Sequence, residues 1–399
     1  MTRTSPIAVL AVLILGGAAF GQPAPSSPAD VTFPACAADC GAADGGRVWA
    51  DAEFLLGWVQ GDPLPPLVAS SPAGTARASA GVLGTPGVVT LFGGATADNS
   101  TRQGARFDVG YWFDANRQFG IEAGMFALES DTEAFGASSN GAPILARPYM
   151  DVTTGNAASA LVAFPGVSTG SVGVADSGRN FVGVNADLAG NCIDMPDCRI
   201  DALIGYQGLR YDERLGVTQT IVPTSGPFVA GTTILSSDAF ATKNIFNGLD
   251  LGFRSQFRYD AFSMDLLTKV AAGPLQRNVT ILGSQTVTVP GAAPVVSTGG
   301  LLALSSNIGS FTTHALTAAP EVGVKFGYDV SPHVRVYGGY DILWWLNVVR
   351  TGEQVDVGVN PGLIPPATAG AGSPSRPAFT GVTSSIWAQT LSLGLEVKY

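Results

Sequence analysis

The sequence predicts an all-β chain that folds as a transmembrane antiparallel β-barrel of about ten strands, with twelve strands as the alternative. Three observations favour this fold. Apolar and polar residues alternate with a period of two in ten segments, the composition is apolar and rich in glycine, and the links between segments alternate between short and long. Side chains on a strand alternate between its two faces, and a tilted transmembrane strand needs about 9–11 residues.

The composition is unusual for a soluble protein of 399 residues. Charged residues make up 13% of the chain, where about 25% is typical, and the mean hydropathy is +0.27. After the N-terminal region, no window contains the roughly 18 continuous apolar residues of a membrane-spanning helix. The net charge of −10 disfavours nucleic-acid binding. Two classes of protein remain: an aggregation-prone soluble β protein, and a barrel whose apolar face meets lipid. The strand pattern favours the barrel.

The N-terminus, MTRTSPIAVLAVLILGGAAFGQPAP, is typical of a secretory signal peptide. Arg3 precedes a short apolar run, and small residues follow it up to Gly21. A membrane-anchor helix is the alternative, but the run is short for one. We therefore expect a signal peptide over residues 1–21, a periplasmic linker over 22–46 and the barrel domain over 47–399. Export makes the four cysteines candidates for two local disulfides, Cys36–Cys40 and Cys192–Cys198, and their spacing disfavours a zinc site.

Ten segments carry the alternation, and their apolar positions form the expected lipid-facing surface. They are VWADAEFLLGWV, ARFDVGYWF, FGIEAGMFA, FVGVNADL, RIDALIGYQ, GLDLGFRSQFRY, FSMDLLTKV, EVGVKFGYDV, VRVYGGYDILWW and TLSLGLEVKY. Nine aromatic residues gather at one set of strand ends, as an interfacial girdle does: Tyr111, Phe113, Phe119, Phe257, Tyr259, Phe262, Phe326, Tyr328 and Tyr399.

The links predict the topology, with short periplasmic turns and long extracellular loops. The short links are 114–118, 191–197, 260–261 and 331–332; the long ones are 60–101, 131–177, 223–242, 290–312 and 351–385. Two further apolar segments, 216–222 and 279–289, would give twelve strands if they crossed the membrane. They would also move the 260–261 turn to the outer side, so we interpret them as strand extensions above the membrane.

The C-terminal strand ends on apolar residues at every second position, followed by a terminal aromatic residue. This pattern resembles the recognition signal of the machinery that inserts outer-membrane barrels, and it involves Leu393, Leu395, Val397 and Tyr399. A barrel must also pair its last strand with its first. The C-terminus is therefore expected to be both a closing strand and an insertion signal.

Several stretches resemble the beta-barrel porin-7 family of bacterial outer-membrane proteins. They are GDPLPPLV, DALIGYQGLRYDERL, KNIFNGLDLGFRSQFRYDAFSMDLLTKVAAG, GGLLALSSNIG and PEVGVKFGYDVSPHVRVYGGYDILWWLNVVRTGEQVD. The resemblance covers most of residues 49–399 and is weakest in the loops 131–177 and 223–242. It implies a barrel in the bacterial outer membrane with a pore role, and it supplies no catalytic residues.

The charged positions opposite the apolar face are expected to line the lumen. They are Asp51, Glu53, Arg106, Asp108, Glu122, Asp250, Arg254, Arg258, Asp265, Lys269, Glu321, Lys325, Arg335 and Asp341. Two functions remain open: a narrow porin for small solutes or ions, or a non-conducting structural barrel with a side-chain-filled lumen. If a pathway exists, we expect a cluster of opposite charges on the adjacent sixth and seventh strands to lie in it and to pair across the ladder: Arg254, Arg258, Asp250 and Asp265.

An enzymatic role is not expected. The chain has two histidines, His314 and His333, and no G-x-S-x-G stretch. Neither a cofactor nor a metal is predicted. The expected partners are outer-membrane lipid, the barrel insertion machinery, and surface or cell-envelope molecules that contact the long loops. The proline-rich GDPLPPL loop is either a rigid extended segment or a loop that folds into the barrel mouth.

Overall fold

Antiparallel strands form most of the structure, a computed structural model that describes residues 47–97, 100–367 and 372–399. The predicted signal peptide, the linker and the Cys36–Cys40 disulfide lie outside these residues and remain predictions. No helix in the described part is long and apolar enough to cross a membrane.

Ten strands, labelled β1 to β10, form the wall of a closed barrel in the described part of the chain. Each strand pairs with the next along the sequence, and β10 pairs with β1, so the sheet has no open edge at this level. The strands are β1 Val48–Val59, β2 Arg102–Trp112, β3 Phe119–Leu128, β4 Ser168–Met195, β5 Cys198–Pro223, β6 Thr233–Tyr259, β7 Phe262–Thr288, β8 Gly309–Ser331, β9 Val334–Val348 and β10 Ser384–Lys398. The predicted all-β barrel fold is confirmed.

The outer face of the barrel carries the apolar residues that the period-two pattern selected. Phe54, Leu251 and Leu393 are about half exposed or more, which for a membrane barrel is exposure to lipid. All nine aromatic residues expected at one set of strand ends are also exposed. Phe262 and Tyr328 pack edge to face there, with ring centroids 5.2 Å apart. The aromatic side chains therefore surround the end of the barrel that carries the short turns.

One of the four short turns is tighter than the sequence indicated. Tyr259 and Phe262 flank a two-residue turn, as predicted. The link expected over residues 191–197 shrinks to residues 196–197, because β4 continues to Met195. Past a bulge at Cys192, the β4–β5 ladder resumes with Ile193 opposite Ile200 and ends with Met195 opposite Cys198.

The predicted Cys192–Cys198 disulfide is wrong, since both thiols are free. The register of the hairpin explains this. Cys198 pairs with Met195, while Cys192 occupies the bulge between the pairs Asn191–Asp201 and Ile193–Ile200. A disulfide across a hairpin requires two cysteines that are cross-strand neighbours. These two are offset along the ladder and are not such neighbours.

Five consecutive strands, β4 to β8, are much longer than the others and extend beyond the long-loop end of the barrel. The predicted extension segments 216–222 and 279–289 continue β5 and β7, although β7 itself ends at Thr288, one residue before the end of the second segment. The long links are correspondingly shorter than predicted, with β4, β6 and β8 beginning at Ser168, Thr233 and Gly309. The prediction stopped early because the outer faces of these extensions are mostly polar, with isolated exceptions such as Leu235 and Leu282, so the lipid-type alternation ends there.

The extensions and the long loops together form a folded cap at the long-loop end. Its second sheet contains the strands Val68–Ser71, Val89–Phe92, Ile144–Asp151, Asn156–Ala163 and Gly358–Val359. Smaller elements are the strands Asp62–Pro63, Thr96–Ala97, Asp131–Ser139 and Val295–Thr298 and the 3-10 helices Gly352–Gln354 and Pro361–Leu363. Leu64 and Leu67 of the GDPLPPL loop are buried in the cap, against a hydrophobic cluster that includes Leu215 and Phe240 of the extensions. The proline-rich loop therefore packs over the barrel mouth.

Asp238 of β6 holds the GGLLALSSNIG segment in the cap. Its Oδ1 accepts hydrogen bonds from the backbone N–H groups of Leu301, Leu302 and Ala303 at 2.8–3.0 Å. Its Oδ2 lies 2.7 Å from Nη1 of Arg147, and both side chains are fully buried. One carboxylate thus joins a barrel strand, the second sheet and this loop.

Candidate functional site in the barrel lumen

Glu53 of β1 is the centre of a charged network inside the barrel. Its carboxylate accepts a hydrogen bond from the Tyr337 hydroxyl at 3.0 Å and a short one from Lys325 Nζ. Arg106 Nη1 lies 3.5 Å from Glu53 and 3.2 Å from Asp341. Because these partners come from three other strands, β2, β8 and β9, the carboxylate links separate parts of the wall.

Other ion pairs cross the lumen between strands that are not neighbours. Arg254 of β6 donates two hydrogen bonds to Glu122 of β3, at 2.6 and 2.7 Å. Lys269 of β7 contacts Asp187 of β4 at 2.8 Å and also pairs with Asp250. Two-pronged arginine–carboxylate contacts and networks of this kind fix side-chain positions more strongly than single exposed pairs do.

The predicted cluster of arginines and aspartates on β6 and β7 is therefore wrong in its pairing. Asp250 does pair across the adjacent strands, but with Lys269. Asp265 instead binds Arg335 of β9 at 2.6 Å. The reason is the small diameter of the barrel, which brings long side chains within reach of the opposite wall.

The lumen contains a cavity of about 170 Å³ at the short-turn end, smaller than the roughly 300–1,000 Å³ of typical ligand pockets. Twelve of the fourteen predicted lumen residues line it, and the other two, Glu53 and Asp250, are buried in the ion pairs just described. The structure thus brings all fourteen to the inner face: Asp51, Glu53, Arg106, Asp108, Glu122, Asp250, Arg254, Arg258, Asp265, Lys269, Glu321, Lys325, Arg335 and Asp341.

Above this cavity, toward the long loops, the inner face becomes apolar. Along β1 the inward residues are Asp51 and Glu53, then Leu55 and Val59. Apolar residues from every strand except β2 pack together at this level, and we call this set the apolar layer: Leu55, Val59, Leu128, Phe181, Leu209, Tyr211, Phe246, Ala271, Leu275, Ala319, Leu343, Trp345, Val348, Ile386 and Ala388. Phe246 and Trp345 at its centre are completely buried, with ring centroids 6.2 Å apart.

The sequence interpretation missed the apolar layer, although a signal for it exists. Where both faces of a strand are apolar, the alternation is lost, as in FLL at 54–56 and LWWL at 343–346. Continuous apolar runs are typical of strands buried on both faces. Here one face meets lipid and the other meets the layer, so the WW pair at 344–345 places one ring outside and one inside.

Arg350 forms a second buried charged cluster, between the apolar layer and the cap. Its guanidinium donates to Glu213 Oε1 at 2.8 Å and to the carbonyl groups of Gln60 and Gly61 at 2.8 and 3.1 Å. Asp62 in turn accepts a hydrogen bond from the backbone N–H of Gly352 at 2.7 Å. These contacts join the first long loop to the last one. Burial and the negative charge of Glu213 raise the pKa of Asp62 to about 7.

The sequence matches the family described as Putative beta barrel porin-7 (BBP7) over residues 49–399. The chain belongs to this family. This porin-7 family member is thus an outer-membrane β-barrel, located in the bacterial outer membrane. By the usual arrangement of such barrels, its short turns face the periplasm and its cap faces the exterior. Among curated proteins, none matches the chain.

Solved barrels resemble this porin-7 family member at low similarity. The outer membrane protease OmpT from Escherichia coli is 11% identical with a TM-score of 0.40, covering 88% of this chain and 96% of its own. The translocator domain of the autotransporter NalP from Neisseria meningitidis is 8% identical with a TM-score of 0.27, covering 90% of each chain. The CymD monoaromatic hydrocarbon channel is 8% identical with a TM-score of 0.24, covering 89% of each. Similarity at this level does not bear on function.

Three acidic side chains of this family member stand close enough together to consider a metal ion. Ligand oxygens of Asp51, Glu53 and Asp108 lie within 4.8 Å of one another. Lys325 and Arg106, however, already contact this group as cations. The acidic cluster is therefore neutralised by the protein itself.

Proposed function

We propose that this protein is a sealed outer-membrane barrel, a non-conducting anchor whose long loops form a folded surface module. This is the second of the two functions that the sequence left open. The observation that carries it is the apolar layer, which occupies the lumen between the periplasmic cavity and the extracellular cap. Hydrophobic constrictions exclude water and close a pore to ions.

The rival function is a narrow porin, and the family description favours it. In that case the charged cavity would be a vestibule, and the apolar layer would have to open. The two functions differ in a measurable quantity, the conductance of the folded protein in a planar bilayer. A sealed barrel gives no current steps, and a porin gives them in the wild type.

The adjacent tryptophans provide a matched pair of variants for this experiment. Trp345 is buried in the apolar layer, whereas Trp344 is exposed on the outer face. We expect no current steps from wild type or Trp344→Ala, and a leak from Trp345→Ala combined with Phe246→Ala, because each truncation leaves a cavity in the layer. Heat-modifiable gel mobility verifies that every variant is folded. Regular current steps from folded wild type would contradict the sealed barrel.

The remaining roles follow from the same arrangement. The apolar outer face would contact lipid, and the C-terminal residues Leu393, Leu395, Val397 and Tyr399 would be read by the insertion machinery. The cap would meet surface or cell-envelope partners. We assign no enzymatic role: His314 is exposed on β8 and His333 lies in the short turn after it, so the two histidines stand near opposite ends of one strand.

A further inference from the structure

Charges at the periplasmic end of the cavity do not balance pair by pair. The carboxylates of Asp201, Asp265 and Glu396 line this end and are bound by Arg199 at 2.9 Å, Arg335 at 2.6 Å and Lys398 at 3.3 Å, respectively. Two further arginines, Arg117 and Arg258, line the same cavity. In the described part of the chain, neither has a carboxylate oxygen within 4.0 Å. Both are half-buried.

Arg117 is held toward this position by its turn. The Asp114 carboxylate accepts hydrogen bonds from the backbone N–H groups of Gln118 and Phe119, both at 2.9 Å, and so shapes the turn between β2 and β3. Arg117 itself has a φ of +53°, a left-handed conformation that is strained for a non-glycine residue. Arg199 Nη2 donates to the carbonyl oxygen of Arg117 at 2.5 Å, which fixes the turn against β5.

Arg258 reaches the cavity from the end of β6. Its Nε donates to Gln256 Oε1 at 3.2 Å, which leaves its other N–H groups available to the cavity. Burial, together with the positive charges of Arg199 and Arg258, lowers the pKa of Arg117. The cavity end therefore contains guanidinium groups that repel one another, and no carboxylate of the described residues binds Arg117 or Arg258 directly.

We propose that Arg117 and Arg258 form a binding site for a small soluble oxyanion, a phosphate or carboxylate group, taken from the periplasm. A guanidinium matches both groups with two parallel hydrogen bonds, and half-burial strengthens the contact. The cavity of about 170 Å³ admits a small ion or the end of a chain. A lipid headgroup is excluded because Arg258 lies on the inner face of β6 and Arg117, in its turn, lines the same cavity. The apolar layer makes the site a blind pocket.

The test measures binding of inorganic phosphate and of succinate to the folded full-length protein in dodecyl maltoside, by isothermal titration calorimetry. We expect saturable binding to the wild type. The double variant Arg117→Gln/Arg258→Gln should weaken it by about tenfold or more, because hydrogen bonds between charged groups are lost. The charge-matched control Arg77→Gln/Arg179→Gln removes two exposed arginines outside the cavity and should bind as the wild type does.

Labelling of the wild type with phenylglyoxal, read by mass spectrometry, keeps the test independent of variant folding. Phosphate or succinate should protect Arg117 and Arg258 from modification, and should leave Arg77 unprotected. Absence of saturable binding of both probes, equal weakening in the control variant, or unchanged labelling of Arg117 and Arg258 would each overturn the site. Conductance does not enter these measurements, so they stand apart from the test of the sealed barrel.

Discussion

The guanidinium of Arg350 and the carboxyl of Asp62 together connect the beginning and the end of the barrel sequence. Arg350, which follows β9, donates hydrogen bonds to the backbone carbonyl groups of Gln60 and Gly61, which follow β1. In the opposite direction, Asp62 accepts a hydrogen bond from the backbone N–H of Gly352. Apart from the half-buried Gln60, these groups are buried, so each polar atom that loses its partner is costly. Arg350 binds Glu213 directly, and burial and the negative charge of Glu213 raise the pKa of Asp62.

Asp62 should make this loop junction sensitive to pH. Its folded pKa of about 7 lies above its ordinary value near 4, so the stability it contributes is complete below about pH 4 and is lost as the pH rises through 7. Hydrogen exchange of residues 60–64 and 351–354, corrected for intrinsic rates, should therefore be faster at pH 8 than at pH 5.

Asp62→Asn keeps an oxygen acceptor for Gly352 and removes the titration. This variant should remove most of the pH dependence of the hydrogen-exchange rate. A smaller pH dependence should remain from Glu353, because burial also raises the pKa of that residue. An equal change of the exchange rate between pH 5 and pH 8 in the variant and in the wild type would show that Asp62 does not titrate in this range.

Two outward-facing leucines on neighbouring strands, one in the barrel and one in an extension, mark where the lipid-facing surface ends. On β6, Leu251 faces outward within the membrane-spanning part, while Leu282 faces outward on the β7 extension, and both are more than half exposed. Both positions carry leucine on the outer face of the wall, but the first is surrounded by lipid and the second by water. Only the first should be sensitive to charge.

Arginine at these two positions tests that difference. Leu251→Arg should destabilise the folded barrel by about 2–4 kcal/mol, because the charge enters the membrane interior, and Leu282→Arg should have little effect because it meets water. The measurement is the urea midpoint of unfolding in lipid vesicles. A similar loss for both variants would place the β7 extension in the membrane, as the twelve-strand alternative would require.

The sequence predicts the strands and their outer faces well, because lipid imposes a strict rule on every second residue. Phe54 and Leu393 could be assigned outward from parity alone. The pairing of Arg254 with Glu122 could not, since parity places a residue on a face and gives neither register nor lumen diameter. The bulge at Cys192 is a shift of one residue, which local composition does not indicate. The cap was missed because its sheet joins segments far apart in the chain.

The described part of the chain consists of a lower barrel and an upper cap that share the walls β4 to β8. Arg147 and Asp238 form the fully buried ion pair between the second sheet and the β6 extension. Breaking a buried pair by removing one partner typically costs about 3–5 kcal/mol, because the other charge stays buried. The lower barrel does not depend on this contact, since its own ladder closes below it.

Asp238→Ala should therefore loosen the cap and leave the barrel folded. We expect faster proteolysis within residues 295–308, whose backbone loses its acceptor, together with unchanged heat-modifiable gel mobility. Glu129→Ala, which removes an exposed carboxylate at the end of β3, is the control and should be cleaved as the wild type is. Loss of the heat-modifiable form in Asp238→Ala would mean that cap and barrel unfold as one unit.

The unequal strand lengths also bear on the order of assembly. The strands β4 to β8 are successive in the sequence, so their long ladders form between neighbours along the chain at a small cost in loop-closure entropy. The one ladder that joins the two ends of the barrel sequence runs only from Trp49–Lys398 to Val59–Ala388. Non-local pairings of this kind are the slow ones in folding. The chain thus leaves its kinetically hardest pairing to one of its shorter ladders, which has far fewer hydrogen bonds to form than the ladders among β4 to β8.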